Sequence, residues 1–176
     1  MIRNIGLDLD GCLYLWHSAV YDYFRFYKNY TGTWREFWTT KYKTFSDSDW
    51  KYITEVDIFY SSQPPTTDCV NFINNIKDRF EIYYITSRPM LVKTTTEQFL
   101  KRYKFPFHEN LIFTDDKVNT ARLLKLDYAV DDMPKHVEGL AKVTKIIMIS
   151  QPWNIDIQDK YPTSQTLMGT LQYMED

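Results

Sequence analysis

Cysteine is scarce: the 176 residues include only Cys12 and Cys69, and these form no pattern of pairs. That excludes a disulfide-stapled scaffold and a cysteine zinc site, and it points to a reducing compartment. Long apolar runs are missing too, and none approaches the roughly 20 residues that a membrane-spanning helix needs. Charge of one sign is not in excess. With 21 Lys and Arg against 23 Asp and Glu the net charge is −2, so the chain has no basic track for a long nucleic acid and no grip on an anionic membrane. The three histidines, His17, His108 and His136, are scattered. There is no internal repeat and no low-complexity tract. An apolar strand begins almost at the first residue, which leaves no room for a signal peptide and makes the cytoplasm the expected location.

What is present is an ordinary globular composition, 44% hydrophobic and 25% charged, in a chain long enough for one domain with a small insertion. The organising stretch is Ile5-Gly6-Leu7-Asp8-Leu9-Asp10-Gly11-Cys12. Alternating apolar residues predict a short buried strand that ends in a turn at Gly11. Two carboxylates at a strand end are unusual, because burying Asp8 costs on the order of several kcal/mol unless it is paired or binds a metal.

Strand and helix alternate from residue 65 to residue 149. Strands are expected at 80–86, 111–113, 128–131 and 145–149, the last strand of the chain. Helices are expected after a Thr66 or Thr67 cap, with Val70, Ile73 and Ile76 on one face, and from Pro89 to about Tyr103. Others run from about Val118 to Lys125 and from Pro134 to about Ala141. A terminal helix aligns Leu167, Leu171 and Met174. Short connections and this alternation predict an α/β fold: a parallel sheet with helices on both faces. Residues 13–63 are the most aromatic part and carry no convincing strand. They read as a small helical subdomain, with a helix over about 17–30, a second capped by Thr33 and a third capped by Ser46 or Ser48.

Open parallel sheets bind ligands beyond the carboxyl ends of their strands. At that edge the sequence places Asp8 and Asp10, then Thr86-Ser87-Arg88, then Asp131-Asp132, with Lys117 opening a helix nearby. Four converging carboxylates repel one another unless a cation sits among them. Hard oxygen ligands without His or Cys point to Mg²⁺, and a lysine and a hydroxyl beside it make a phosphoryl site. Singly, these residues have blander readings. Thr86 is a strand residue, Asp115 and Asp116 are loop and cap, and Arg88 is a substrate contact or an ion pair. Lys117 at a helix start opposes the helix dipole. Together they require a metal, an anion and a nucleophile at one edge, without saying which Asp attacks.

The constellation resembles the haloacid dehalogenase superfamily of phosphatases over nearly the whole chain. Its four motifs appear in order as Asp8-Leu9-Asp10-Gly11, Thr86-Ser87, Lys117 and Asp131-Asp132. Within it, Ile85-Thr86-Ser87-Arg88-Pro89, Lys104-Phe105-Pro106-Phe107 and the run from Ala129 to Val137 are similar to the 5′(3′)-deoxyribonucleotidase family. The resemblance implies a Rossmann-like three-layer α/β/α core, residues 1–12 and 64–176, with a helical cap, 13–63, inserted after the first strand. It implies that Asp8 attacks phosphorus and that Asp10 serves as acid and base. Mg²⁺ would be held by the Asp8 side chain, the Asp10 carbonyl and Asp132, with Asp131 in or beside the shell. Thr86 and Lys117 would hold the phosphoryl oxygens, helped by Ser87 and Gly11. The function implied is hydrolysis of (deoxy)nucleoside monophosphates, with another small phosphorylated metabolite or a polynucleotide 3′-phosphate as the alternative. The expected partner is a small phosphate monoester, with no long nucleic acid and no membrane; a homodimer is left open. Because selectivity must come from outside the phosphate site, aromatics of 13–63 are expected to contact a base, Trp16, Trp34 and Trp38 first, with Arg88 a further substrate contact.

Overall fold

The computed structural model describes residues 2–174. Met1, Glu175 and Asp176, the ends of the expected core domain, lie outside the described residues. Strand β1, Arg3–Leu7, is followed by four helices: α1, Trp16–Tyr27; α2, Trp34–Thr39; α3, Asp47–Glu55; and α4, Ile58–Ser61. Then come α5, Cys69–Ile76; β2, Phe80–Thr86; α6, Lys93–Arg102; β3, Leu111–Phe113; and α7, Lys117–Leu123. The chain closes with β4, Tyr128–Asp131; α8, Pro134–Leu140; β5, Lys145–Ile149; β6, Thr163–Ser164; and α9, Leu167–Thr170. The six strands pair in the order β3-β2-β1-β4-β5-β6, and every pairing is parallel. Chain order runs outward in both directions from β1 and β4, so the topological switch lies between those two strands.

Strand alternation sorts the side chains into two apolar layers. Ile5, Leu7, Ile82, Tyr84, Val130, Ile147 and Ile149 face α5, α6 and α9, while Ile85, Ala129, Ile146 and Met148 face α7 and α8. The aromatics of α1, α2 and α4 join the first layer, so the helical insertion shares one continuous apolar cluster with the sheet. No described helix is long and apolar enough to cross a membrane.

Local chemistry explains most boundaries. Thr33 and Ser46 each cap a helix, and each closes a capping box, with Glu36 and Asp49 respectively. Asp116 caps α7 by accepting from Asn119 N–H at 2.9 Å. Five details differ from the sequence reading, the first being that the terminal helix stops at Thr170 and a 3₁₀ turn, Leu171–Tyr173, follows. Neither Thr66 nor Thr67 caps α5. Asp68 occupies that position, and Thr66 instead donates its hydroxyl to the Cys12 carbonyl at 3.0 Å. Because α5 starts at Cys69, its inward face is Cys69, Phe72, Ile73 and Ile76, which turns Val70 out to 45% exposure. Pro89 precedes a 3₁₀ turn, Met90–Val92, and α6 begins only at Lys93. After β5 the chain makes a 3₁₀ helix, Pro152–Ile157, and adds the two-residue β6, both too short to leave a periodic signal.

The register of α5 is testable by unfolding in urea. Ile73→Ala is expected to cost about 2–5 kcal/mol as a buried large-to-small change. Val70→Ala, one turn away on the outer face, should stay within about 0.5 kcal/mol.

Candidate active site

The turn after β1 carries the first carboxylates. The Leu9 carbonyl accepts from the N–H groups of Cys12, Leu13 and Tyr14 at 3.3, 2.9 and 2.7 Å, which folds the chain back at once. Gly11 sits in this turn with φ +87°, where a side chain is strained, and a Cβ there would overlap the Asp132 carboxylate. Asp8 lies at the switch point, its N–H bonded to the Val130 carbonyl at 2.9 Å.

Lys117 is buried between two carboxylates, with Nζ 2.5 Å from Asp8 Oδ1 and 2.8 Å from Asp131 Oδ2. Burial opposes its charge, but Asp131 and Asp8 outweigh that and hold its pKa above the ordinary lysine value. Burial pushes the Asp8 carboxyl up to about 6, with Lys117 pulling the other way. Burial acts on Asp131 as well, yet Lys117 and His136 bring it down to about 2. Among the described residues no cation contacts Asp132, and burial, then Asp8 and Asp131, push its carboxyl well above the carboxylate range. Its Oδ1 is buried without a hydrogen-bond partner.

These observations test the fit of a divalent cation. Asp8, Cys12 and Asp132 offer donor atoms within 4.8 Å of one another. The Cys12 thiol is kept neutral, first by burial and then by Asp132, so the hard donors are the two carboxylates. Excess negative charge and an orphaned buried oxygen are what a hard cation would resolve. Of the two positions expected for Asp131, in or beside the ligand set, the geometry is the second. Oδ2 is taken by Lys117, and Oδ1 accepts from Met133 N–H at 2.9 Å and lies 3.3 Å from His136 Nδ1. Asp131 therefore orients Lys117 from outside the donor cluster.

Asp10 is held separately. Arg88 Nε reaches its Oδ2 at 2.8 Å and Nη2 its Oδ1 at 2.6 Å. The guanidinium also bonds Thr96 Oγ1 at 3.0 Å and lies over the rings of Tyr14 and Tyr60. Of the two readings open for Arg88, the geometry is the ion pair.

Over this edge lies a cavity of about 230 Å³. Asp8, Asp10, Thr86, Ser87, Arg88 and Lys117 line its sheet side. Trp16, His17, Trp50, Thr54 and Tyr60 line the helical side, and Met133 and His136 close a third. Of the expected base contacts, Trp16 lines the cavity; Trp34 and Trp38 are corrected to packing residues. Trp34 packs edge-on against Tyr21 and Trp38, and Trp38 is 3% exposed among His17, Phe37 and Trp153. Gly11 does not line it either, and its N–H donates to the Tyr14 carbonyl at 3.0 Å, so its part is the turn and the room it leaves for Asp132. Trp50 and Tyr60 were visible only as aromatics among many. His136 sits one turn into α8, and nothing local marks it.

A family model described as "5′ nucleotidase, deoxy (pyrimidine), cytosolic type C protein" matches residues 1–165. A Bacillus cereus protein provisionally named a nucleotidase is 30% identical over 121 residues, 65% of this chain and 64% of its own. A second, from Oceanobacillus iheyensis and named in the same way, is 37% identical over 79 residues, 42% of each chain. The chain thus spans less than two thirds of the length of either relative. Among solved structures, a haloacid dehalogenase-like hydrolase from Streptococcus pneumoniae shares the fold with TM-score 0.67 and 13% identity, covering 99% of both chains.

The pH dependence of stability follows from His17. Burial pulls its pKa from 6.5 to about 4, with Asp10 pulling weakly upward. A base depressed in the folded state stabilises fully above its unfolded pKa, and the contribution is lost as pH falls toward the folded one. Acidification from about pH 6.5 to 4 should therefore remove up to about 3 kcal/mol of the His17 contribution, set against an opposite gain from Asp8, whose raised carboxyl takes up its proton in the same window. His17→Phe should flatten that limb in urea titrations run beside the wild type.

Proposed function

The chain belongs to the 5′ nucleotidase, deoxy (pyrimidine), cytosolic type C family, and from that premise we propose that it is a Mg²⁺-dependent phosphatase of (deoxy)nucleoside monophosphates. The observation that carries this reading is the cavity itself. Its floor holds a buried carboxylate against a buried ammonium, and its opposite wall is aromatic.

In this reading residues 13–63 cap a core made of 1–12 and 64–176. A carboxylate oxygen of Asp8 attacks phosphorus, the bond to the ester oxygen breaks, and an aspartyl-phosphate forms. Lys117 and Thr86 bind the phosphoryl oxygens. Asp10 delivers a proton to the leaving oxygen, then takes one from the water that hydrolyses the intermediate. Both Asp10 oxygens accept from Arg88, so delivering that proton requires one of those bonds to open. Asp8 and Asp132, with the Asp10 carbonyl, would hold Mg²⁺, which supplies positive charge against the phosphoryl oxygens. Trp16 and Trp50 give the base a stacking wall.

Phosphate release from a panel of ribo- and deoxyribonucleotides and unrelated phosphorylated metabolites tests the substrate class. Turnover of nucleotides is expected with Mg²⁺, none in excess EDTA, and none from Asp8→Asn, which keeps the shape of the nucleophile but cannot attack. Full activity under chelation would sink the metal-dependent reading. Equal turnover of every metabolite would sink the nucleotide assignment.

The aromatic wall makes a separate expectation. Base stacking contributes about 1–3 kcal/mol, so Trp16→Ala and Trp50→Ala should raise KM for nucleotides roughly 5- to 150-fold. A small aryl phosphate, which has no base, should be nearly unaffected. Trp34→Ala should shift stability instead and leave the ratio of the two substrates unchanged.

A further inference from the structure

Four consecutive residues beyond β5, Gln151-Pro152-Trp153-Asn154, hold the second aspartate of the site from three sides. Asn154 Nδ2 donates to the Asp132 carbonyl at 2.7 Å and to the Ile149 carbonyl at 2.8 Å. Gln151 Nε2 donates to the Gly11 carbonyl at 2.8 Å, which fixes the turn against which the Asp132 carboxylate packs. The indole N–H of Trp153 donates to Asp132 Oδ2 at 2.9 Å. The carboxylate is thus divided: Oδ2 is engaged, and Oδ1 is buried with no partner. On its face the Trp153 ring is stacked by His17 of α1, centroids 4.0 Å apart and planes 22° apart.

Resting on the metal-dependent reading above, we propose that Trp153 is a positioning residue that selects Asp132 Oδ1 as the metal-binding oxygen. The chemistry of the indole suits that task. It has one donor and no acceptor, so it takes one oxygen of Asp132 and leaves the other. It carries no formal charge, so it does not compete with a divalent cation for the negative charge that Asp132 carries as a ligand. An arginine or lysine there would satisfy Oδ2 equally well and cancel that charge. The His17 stack and the edge contact from Trp38, 5.5 Å between centroids, keep the ring from rotating its N–H away. Carboxylates that ligate metals are commonly oriented by such outer partners, and losing one lowers metal affinity about 10- to 100-fold.

The test is Mg²⁺ binding to the full chain without substrate, measured by calorimetry. Trp153→Phe keeps an aromatic face for His17 and removes the N–H. Its Mg²⁺ affinity should fall about 10- to 100-fold, with nucleotide KM unchanged and kcat largely recovered at saturating Mg²⁺. Unchanged Mg²⁺ affinity with only a lower melting temperature would assign Trp153 to packing and overturn the proposal. A second measurement needs no variant. The wild type has five tryptophans, and Mg²⁺ should displace one indole N–H resonance in ¹⁵N spectra; movement of none would also overturn it. If the wild type binds no Mg²⁺ in the millimolar range, the metal-dependent reading falls along with the proposal. Normal binding by wild type and variant alike removes the role of Trp153 alone.

Discussion

Lys117 Nζ lies within 2.8 Å of carboxylates from two different strands, Asp8 after β1 and Asp131 at the end of β4. Each of the three groups alone would be too costly to bury charged, and together they leave a single net negative charge. The arrangement exists because β1 and β4 are neighbours at the point where the strand order reverses, so two strand ends open into one crevice. The other two carboxylates are held by different means. Asp10 has a guanidinium across both oxygens, and Asp132 has a neutral indole on one. Four carboxylates thus occupy one edge, two sharing Lys117, one held by Arg88 and one by Trp153.

The helices of residues 13–63 meet the sheet at the same neighbours. Tyr60 of α4 lies under the Arg88 guanidinium, 4.9 Å from ring centroid to carbon, and Arg88 in turn holds Asp10. His17 of α1 stacks on Trp153, which holds Asp132. Most other aromatics of the segment pack on one another, as in the Phe24–Phe45 stack and the edge contacts of Phe37. Their number reflects the core of a small helical layer, and only a few rings are left for the cavity.

Periodicity carried the sheet well. Strands of four or more apolar residues and helices with a capping serine or threonine lie close to where the sequence places them. What escaped was short or tertiary in origin. Thr66 has the chemistry of a cap, but the Cys12 carbonyl, distant in sequence, claims its hydroxyl. The segment Gln151 to Asn154 makes no regular element long enough to be periodic, and the bonds by which it holds the site go to residues 21 or more positions away. The sheet-edge side chains were legible because a buried strand should not end in charges. Which of Trp16, Trp34, Trp38 and Trp50 reach the cavity was not, since every face of a helix packed between two layers can be aromatic.

The helical segment leaves and re-enters the sheet at a single doorway. Thr66 N–H donates to the Leu13 carbonyl at 3.0 Å, and Tyr14 pairs antiparallel with Pro65. About fifty residues are thus spliced in where the two cut ends already touch. Closing a longer loop between touching ends costs only about 0.6 kcal/mol per doubling of its length. Neither the pairing of β1 with β2 nor the placement of Lys117 registers how long the excursion is. A lineage could therefore lengthen or shorten the outer part of the excursion, altering what the crevice admits, so long as a ring remains under Arg88 and another on Trp153.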